Sequence, residues 1–541
     1  MSEPISFLVA SFDVTKVLYG LLLIFVVDRI VTFQRKRRSL SYLSGIRSPF
    51  SPMGPVGALT STKWWQAALN VTWIRRSTLY KTHETITVVP WLMGAPFIYT
   101  SNLEVAKQIV STRQSHPQFE KSPEMAVGIT LYGPSMVSSD GDDWKKYRRI
   151  SSPSFSNSLY QLVWDASLKT YRDMVSAEGW IGQKSVDIPR LQTSTMKFAL
   201  IVLGICAFGF DFNWTAPPTA AEGEISVQEA MRIVIDSYTF LAFAPEWVKR
   251  LPFKSFRTKL HAQRQLGRFI EDQVRLRKEE IRGYASGESH SRKDVFSMLV
   301  QANESDENAK NKLTDREMIG NVFILLFAGH ETTANTLAAT LGFLSVYPDA
   351  QDEVLQQIID VVGWDRDPTF ADYNDLNKVL AAFFEVVRLF PPDYIMIRAA
   401  THQDQILDIP NAREQEGSTP CHIPKGVWAD DWVVYFVDRN PRYFEDPEEY
   451  KPTRWHTTPN DSELFTAFSF GPRACIGRKF ATTEAVCFLT MLLRDWKVEP
   501  LLASGESVGG WKGRVLNANL GLTLSAGEVP VRFVRRERSS R

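Results

Sequence analysis

Residues 468–477 read Phe-Ser-Phe-Gly-Pro-Arg-Ala-Cys-Ile-Gly, and a helical pattern starts directly after them with Arg478-Lys479-Phe480-Ala481-Thr482-Thr483-Glu484-Ala485. The cysteine of this loop therefore sits at a helix entrance. Partial positive charge and unpaired N–H groups there favour the thiolate over the thiol, and the thiolate is the form that binds a soft metal. Gly471 and Gly477 carry no side chain, so the loop can turn sharply and lie flat against a planar partner. Arg473 can offer a forked guanidinium to a carboxylate on that partner. Phe468 can shield the sulfur from water and tune its donor strength. One loop can therefore carry a metal ligand, a shield and an anion clamp, although a buried Cys beside a Gly-rich turn has the same residues. Cys206, Cys421 and Cys487 have no such setting and read as buried, unreactive residues.

The spaced set Phe468-x-x-Gly471-x-Arg473-x-Cys475-x-Gly477 resembles the heme-thiolate signature of the cytochrome P-450 family. The resemblance implies a mainly α fold with a small β region, preceded by an N-terminal transmembrane helix. It also implies heme b (iron protoporphyrin IX) as cofactor, Cys475 as axial ligand of the heme iron, and Phe468, Gly471, Arg473 and Gly477 around it.

Upstream, Asn321-Val-Phe-Ile-Leu-Leu-Phe-Ala-Gly-His-Glu-Thr-Thr is a helical run whose apolar stretch breaks at Ala328-Gly329 and is followed by Glu331-Thr332. It resembles the family's distal oxygen-activation helix. Two small residues would let that helix approach the heme and open a groove for dioxygen. The acid and the alcohol would pass the protons that O–O cleavage requires, with Thr332 as hydrogen-bond donor and Glu331 as the link to water. Taken alone, a Gly followed by Glu-Thr-Thr in a helix reads as a packing kink.

Glu385 and Arg388 stand three apart on one helical face, where they can pair directly. The family pairs them with an arginine from a later meander, and Arg454 in Tyr450-Lys-Pro-Thr-Arg454-Trp455 matches that position. Such a triad has a scaffold role and no chemical one, because charges tolerate burial only when paired and hydrogen-bonded. Trp144 and Arg148, one helical turn apart, match the family's holders of a heme propionate, and Arg398 is a further candidate. A solvated surface helix or strand would explain these three residues too. Asp438-Arg439-Asn440 departs from the His-Arg-Asp often seen in the meander, and that departure touches scaffold packing.

At the other end of the chain, residues 17–27 read VLYGLLLIFVV without a charge, and Arg35-Lys36-Arg37-Arg38 follows. Extension to residues 14–33 gives about twenty residues, the usual spanning length. Lys16, Asp28 and Arg29 lie near its ends and would snorkel. The basic cluster belongs on the cytosolic side. The expected organisation is a short lumenal N-terminus over 1–13, a transmembrane anchor over 14–33, a basic stop-transfer and Pro-containing hinge over 34–57, and a cytosolic catalytic domain over 58–541. A cleaved signal peptide and an interfacial helix are the competing readings, and both still place the chain at a membrane. For a family member with this anchor the implied location is the endoplasmic reticulum membrane, single-pass.

Long helical patterns fill the middle of the chain. Short β-favouring runs lie at 86–89 and 97–99, and residues 520–524 and 529–534 flank Ser525-Ala526-Gly527-Glu528 as a hairpin. Lys+Arg 62 against Asp+Glu 61 leaves a net charge of +1, so no global field recruits nucleic acid. Four cysteines without a C-x-x-C pair exclude a disulfide framework and a zinc cluster.

The expected function is a heme-thiolate monooxygenase that inserts one atom of dioxygen into a lipophilic small molecule by hydroxylation or epoxidation. Electrons would come from NADPH through a flavoprotein, NADPH-cytochrome P-450 reductase, with cytochrome b5 as a second donor. Lys145, Lys146, Arg149, Arg478 and Lys479 could form the docking face for such an acidic donor, and a solvated face explains them equally well. By resemblance the substrate contacts fall on 125–136, 323–328 and 394–397, an apolar set without an ion partner. The rival readings are an oxygen-independent heme-thiolate isomerase or dehydratase and a non-catalytic heme-binding protein. Glu331 and Thr332 argue against both.

Overall fold

Apolar residues at helical spacing dominate the middle of the sequence, and in the computed structural model that stretch is a set of mutually packed helices with small sheets beside them. The structure describes residues 14–537 apart from 53, 55, 58–59, 111–118, 122–129, 211, 216–224, 285–292, 306–311, 395, 400–402, 412–416, 424–431, 436, 460–461 and 521–522. The expected lumenal segment 1–13 lies outside the described residues. The chain divides into two compact units, Met1–Ile109 with Ile397–Tyr435, and Val110–Met396 with Phe436–Arg541.

The first unit is built on a five-stranded sheet. Its strands are β1 (Gly45–Phe50), β2 (Thr85–Met93), β3 (Phe97–Thr100), β5 (Met396–Ala399) and β8 (Trp432–Tyr435), in the order β1-β2-β3-β8-β5. β6 (Gln405–Pro410) and β7 (Ser418–Ile423) form a separate antiparallel pair. The N-terminal apolar helix, Val14–Ser39, has a mean hydropathy of 1.8 over its most apolar window, and none of that window is buried. The helix Leu191–Phe208 is nearly as apolar, but 72% of its window is buried, which marks it as core.

The N-terminal apolar helix does not end before the basic cluster; it runs through Arg35-Lys36-Arg37-Arg38 to Ser39. Its second half packs on β2. Arg29 Nη1 donates to the Leu92 carbonyl at 2.9 Å. Lys36 is buried, and its Nζ donates to the carbonyls of Gly94 at 2.6 Å and Pro90 at 3.3 Å. The hinge expected over 34–57 is therefore corrected in its first part, because residues 45–50 are β1, paired in parallel with β2. Pro49 is tolerated because β1 is an edge strand and needs no N–H there. Met53 and Pro55 lie outside the described residues.

In the second unit the helices Asn157–Ala177, Leu191–Phe208, Asp315–Val346, Asn377–Leu389 and Arg478–Asp495 pack on one another. The central one, Asp315–Val346, opens with a capping box in which Thr314 and Glu317 exchange hydrogen bonds. It is buried continuously from 333 to 345, as an all-round apolar helix has to be. A Cβ at Gly329 would lie 2.9 Å from Leu203 Cδ1, so this glycine lets the central helix approach Leu191–Phe208.

β4 (Ser185–Ile188), β9 (Trp496–Pro500) and β12 (Val531–Arg535) form a three-stranded sheet in the order β4-β12-β9. β10 (Ala518–Leu520) pairs with β11 (Leu524–Ala526). The expected hairpin between 520–524 and 529–534 is thus not formed. The backbone of 527–529 is taken by the start of Leu191–Phe208 instead. Gln192 accepts from Val529 N at 3.1 Å and donates to the Gly527 carbonyl at 2.6 Å, and Leu191 N donates to the Val529 carbonyl at 3.0 Å.

Candidate active site

The cysteine loop is closed on itself. Cys475 N donates to the Phe468 carbonyl at 2.9 Å, and Gly471 takes φ +68°, a conformation that favours glycine. The helix Arg478–Asp495 starts at Gly477 with no side-chain cap, which leaves its first N–H groups to the loop. Gly477 N–H is hydrogen-bonded to the cysteine, and Arg148 and Arg478 lie within electrostatic reach; all three pull the thiol down. Burial among protein atoms is the larger effect and pushes it up. The Gly477 N–H and the two cations are the groups that favour the thiolate, and a coordinating metal deprotonates a thiol outright. Cys475 is nonetheless the exposed cysteine of the four, while Cys206, Cys421 and Cys487 are buried.

Around it, Arg148 donates from Nη1 to the Ala474 carbonyl at 3.1 Å and so holds the loop directly. Burial lowers the Arg148 pKa, and the nearby Cys475 works against that. Arg473 donates to the Ser139 carbonyl at 2.8 Å and pairs with Asp140, and its guanidinium lies 4.3 Å from the centroid of Trp144. The carboxylate it meets here is thus the protein's own. Asp140 was not evident from the sequence, since an aspartate just before a helix reads as an N-cap. Its side chain makes no such cap, being used by Lys121 N and Arg473. Phe468 packs with Phe384 and Phe465, and Arg478 lies 5.5 Å from the centroid of Phe468 and of Phe384. Arg398 lies in β5 of the first unit and is buried.

On the central helix, the positions flanking the middle are buried, but Leu325, Phe327, Ala328, Gly329, Glu331 and Thr332 keep accessible surface, and Ala328 is exposed. An accessible stripe in the middle of a core helix is the wall of an internal cleft. Thr332 Oγ1 donates to the Ala328 carbonyl at 2.9 Å. Glu331 Oε1 accepts from Thr523 Oγ1 at 2.8 Å, and burial raises its pKa. His330 is buried and its pKa falls to about 4, again by burial. The Phe323 ring lies 4.5 Å from Tyr132 and 5.7 Å from Phe327. Of the expected substrate contacts, residues 125–129 and Ile395 lie outside the described residues.

Glu385, Arg388 and Arg454 come together in the core. Arg388 donates to both carboxylate oxygens of Glu385, at 2.9 and 2.8 Å, and Arg454 Nε donates to the same carboxylate at 3.1 Å. Asp438, where the meander departs from the usual pattern, accepts from Thr466 N at 3.2 Å and Thr466 Oγ1 at 2.9 Å, which ties the meander to the segment leading into the cysteine loop. Burial lifts its pKa from 3.8 to about 6. For an acid raised in the folded state, the stabilisation is complete below the unfolded value and is lost as pH rises through the folded one. A two-unit shift corresponds to roughly 3 kcal/mol. Asp438→Asn is expected to gain stability relative to the parent between about pH 4 and pH 6, measured by denaturant unfolding at each pH. A difference that does not change over that window would show that Asp438 does not titrate there.

Residues 70–508 match the family model Cytochrome P450. The chain belongs to the cytochrome P450 family. Cytochrome P450 monooxygenase 124 of Postia placenta is 32% identical over 443 residues, covering 81% of this chain and 82% of that protein. A cytochrome P450 monooxygenase of Arthrobotrys oligospora is 25% identical over 472 residues, covering 76% and 77%. The crystal structure of the cytochrome P450DA heme domain superposes with a TM-score of 0.68 at 20% identity over 92% of this chain and 98% of that one, which shows the fold. The protein is a cytochrome P450 monooxygenase with a mainly helical P450 fold, small sheets and an N-terminal apolar helix. The family implies heme and a redox partner. The residues present suit heme: one exposed cysteine on a closed loop, cations about it, and an accessible stripe on a core helix.

Proposed function

We propose that this P450 inserts one oxygen atom from dioxygen into a lipophilic small molecule, by hydroxylation or epoxidation, and that Cys475 would hold the heme iron. The observation that carries the reading is the exposed Cys475 at an uncapped helix start in the same unit as the accessible stripe on the central helix. Heme bound there supplies the reductive activation of dioxygen and the transfer of one oxygen atom. Arg148 fixes the cysteine loop through Ala474, and Arg148, Arg473 and Trp144 would hold the propionates. For Arg473 this means exchanging Asp140 for a propionate, or sharing its fork between them. Phe327, backed by Phe323 and Tyr132, gives the cleft an aromatic wall, which suits an apolar substrate and excludes water from it.

Glu331 and Thr332 move protons. The Thr332 hydroxyl rests on the Ala328 carbonyl and has lone pairs free to accept, so a proton can be taken up on one side and handed on at the other. The segment 14–33 anchors the chain in the endoplasmic reticulum membrane and 58–541 faces the cytosol, with electrons delivered from NADPH by a flavoprotein reductase and, as a second donor, cytochrome b5. Spin-state titration of the purified full chain against a library of lipophilic compounds, followed by mass analysis of products, tests the reading. A mass gain of one oxygen that depends on NADPH and dioxygen supports it, and conversion without oxygen uptake overturns it. Thr332→Ala is expected to keep its heme while the yield of hydrogen peroxide per NADPH rises and product formation falls by ~100-fold, the lower range for a lost proton-transfer group. Undiminished coupling would remove Thr332 from the relay.

A further inference from the structure

We propose that Thr523 is a positioning residue that holds the Glu331 carboxyl in one orientation for proton delivery; this rests on the relay reading above. Thr523 stands between β10 and β11, 192 residues along the chain from Glu331. Its hydroxyl lies 2.8 Å from Glu331 Oε1 and 3.3 Å from Asn335 Nδ2. Glu331 and Asn335 are four apart on one face of the central helix, so a single hydroxyl bridges two consecutive turns. The amide of Asn335 donates to Thr523, whose oxygen must then accept, and its one proton is left for Glu331. With the carboxyl ionised, Thr523 donates and Glu331 Oε1 accepts.

A half-buried carboxyl without that donor would turn freely about its terminal torsion, which is broad and roughly two-fold. With it, one oxygen is occupied and the other is the only one left to exchange a proton. The surroundings sharpen the role. Asp236 acts on Glu331 by repulsion and is itself paired with Arg232 at 2.8 Å, while His330 beside it is buried and neutral. Burial and Asp236 favour the protonated acid, and Thr523 is the group that favours the ionised one. A carboxyl held between such opposed influences can both take and release a proton.

The test uses the full chain reconstituted with a flavoprotein reductase and NADPH, with no substrate added. Electrons reaching dioxygen then end in hydrogen peroxide, by two electrons and two protons, or in water, by four of each, and the water fraction reports proton delivery. Three variants are compared: Thr523→Val, which keeps the shape and loses the hydroxyl, Thr523→Ser, which restores it, and Glu331→Gln. A second readout is the pH midpoint of the ferric absorption spectrum that disappears in Glu331→Gln. Thr523→Val is expected to retain heme and the reduced carbon monoxide spectrum, to lower the water fraction several-fold, and to move the midpoint upward. Thr523→Ser should return both to the parent values. If Glu331→Gln lowers the water fraction but Thr523→Val leaves both water fraction and midpoint unchanged, Thr523 has no positioning role. If Glu331→Gln itself matches the parent, the relay reading fails and the proposal falls with it.

Discussion

Purified full-length protein carrying Cys475→Ala is expected to lack the reduced carbon monoxide spectrum of sulfur-ligated heme and to lose product formation by more than ~10³-fold. The comparison that sets this floor is the 10–100-fold typical when only a group supporting a metal ligand is removed. Nothing nearby can stand in for the sulfur. Cys206, Cys421 and Cys487 are buried, and burial holds the Cys206 and Cys487 thiols well above their ordinary range. Among the described residues there is no group of three His, Cys, Asp or Glu side chains placed to hold a metal. The same substitution should cost the fold little, because an exposed side chain outside the core contributes within ~0.5 kcal/mol. Heme-free parent and variant should therefore melt together, which separates loss of the ligand from loss of the fold. A variant that retained the sulfur-ligated spectrum would show that another residue holds the iron, and every role assigned around Cys475 would need to be withdrawn.

The parts of the site that could be read in the sequence are those whose partners lie within one turn or one loop. Phe468 to Gly477 is such a stretch, closed by the hydrogen bond from Cys475 N to the Phe468 carbonyl, and so is the three-residue step from Glu385 to Arg388. Apart from Arg454, which the resemblance supplied as the partner of Glu385, contacts made across the fold left no mark. Arg473 finds Asp140 from 333 residues away, and Thr523 finds Glu331 from 192. A lone threonine after a strand gives no local pattern for such a contact.

The two structural expectations that failed did so for a related reason. Proline, glycine and serine over 48–55 have the composition of a hinge, but the backbone of 45–50 found β2 as a partner, and the pairing outweighs local preference. Residues 527–529 have the turn chemistry of a hairpin, but Gln192 and Leu191 satisfied their backbone groups first.

Arg388→Leu is expected to leave little folded, heme-competent protein. Arg388 and Glu385 are both completely buried, and every N–H of the guanidinium is spoken for. Nε and one Nη2 proton go to Glu385, the second Nη2 proton to the Glu449 carbonyl at 3.1 Å, and the two on Nη1 to the carbonyls of Asp438 at 2.9 Å and Pro447 at 2.7 Å. Glu385 in turn accepts from Arg454, from Trp455 Nε1 at 2.9 Å and from Lys451 N at 2.9 Å. Removing one partner of a buried pair costs about 3–5 kcal/mol, against a total stability of about 5–15 kcal/mol. Arg388→Lys should be damaging as well, since three donors on a point charge cannot replace five in a planar fork. A simple buried pair can often be exchanged for apolar residues without loss. Here the joint change Glu385→Leu with Arg388→Leu would orphan three carbonyls, an indole N–H, a backbone N–H and the Nε–H of Arg454, so it should rescue nothing. Guanidinium unfolding midpoints of the four proteins decide the matter: a double variant as stable as the parent would mean that these charges do not hold the meander in place.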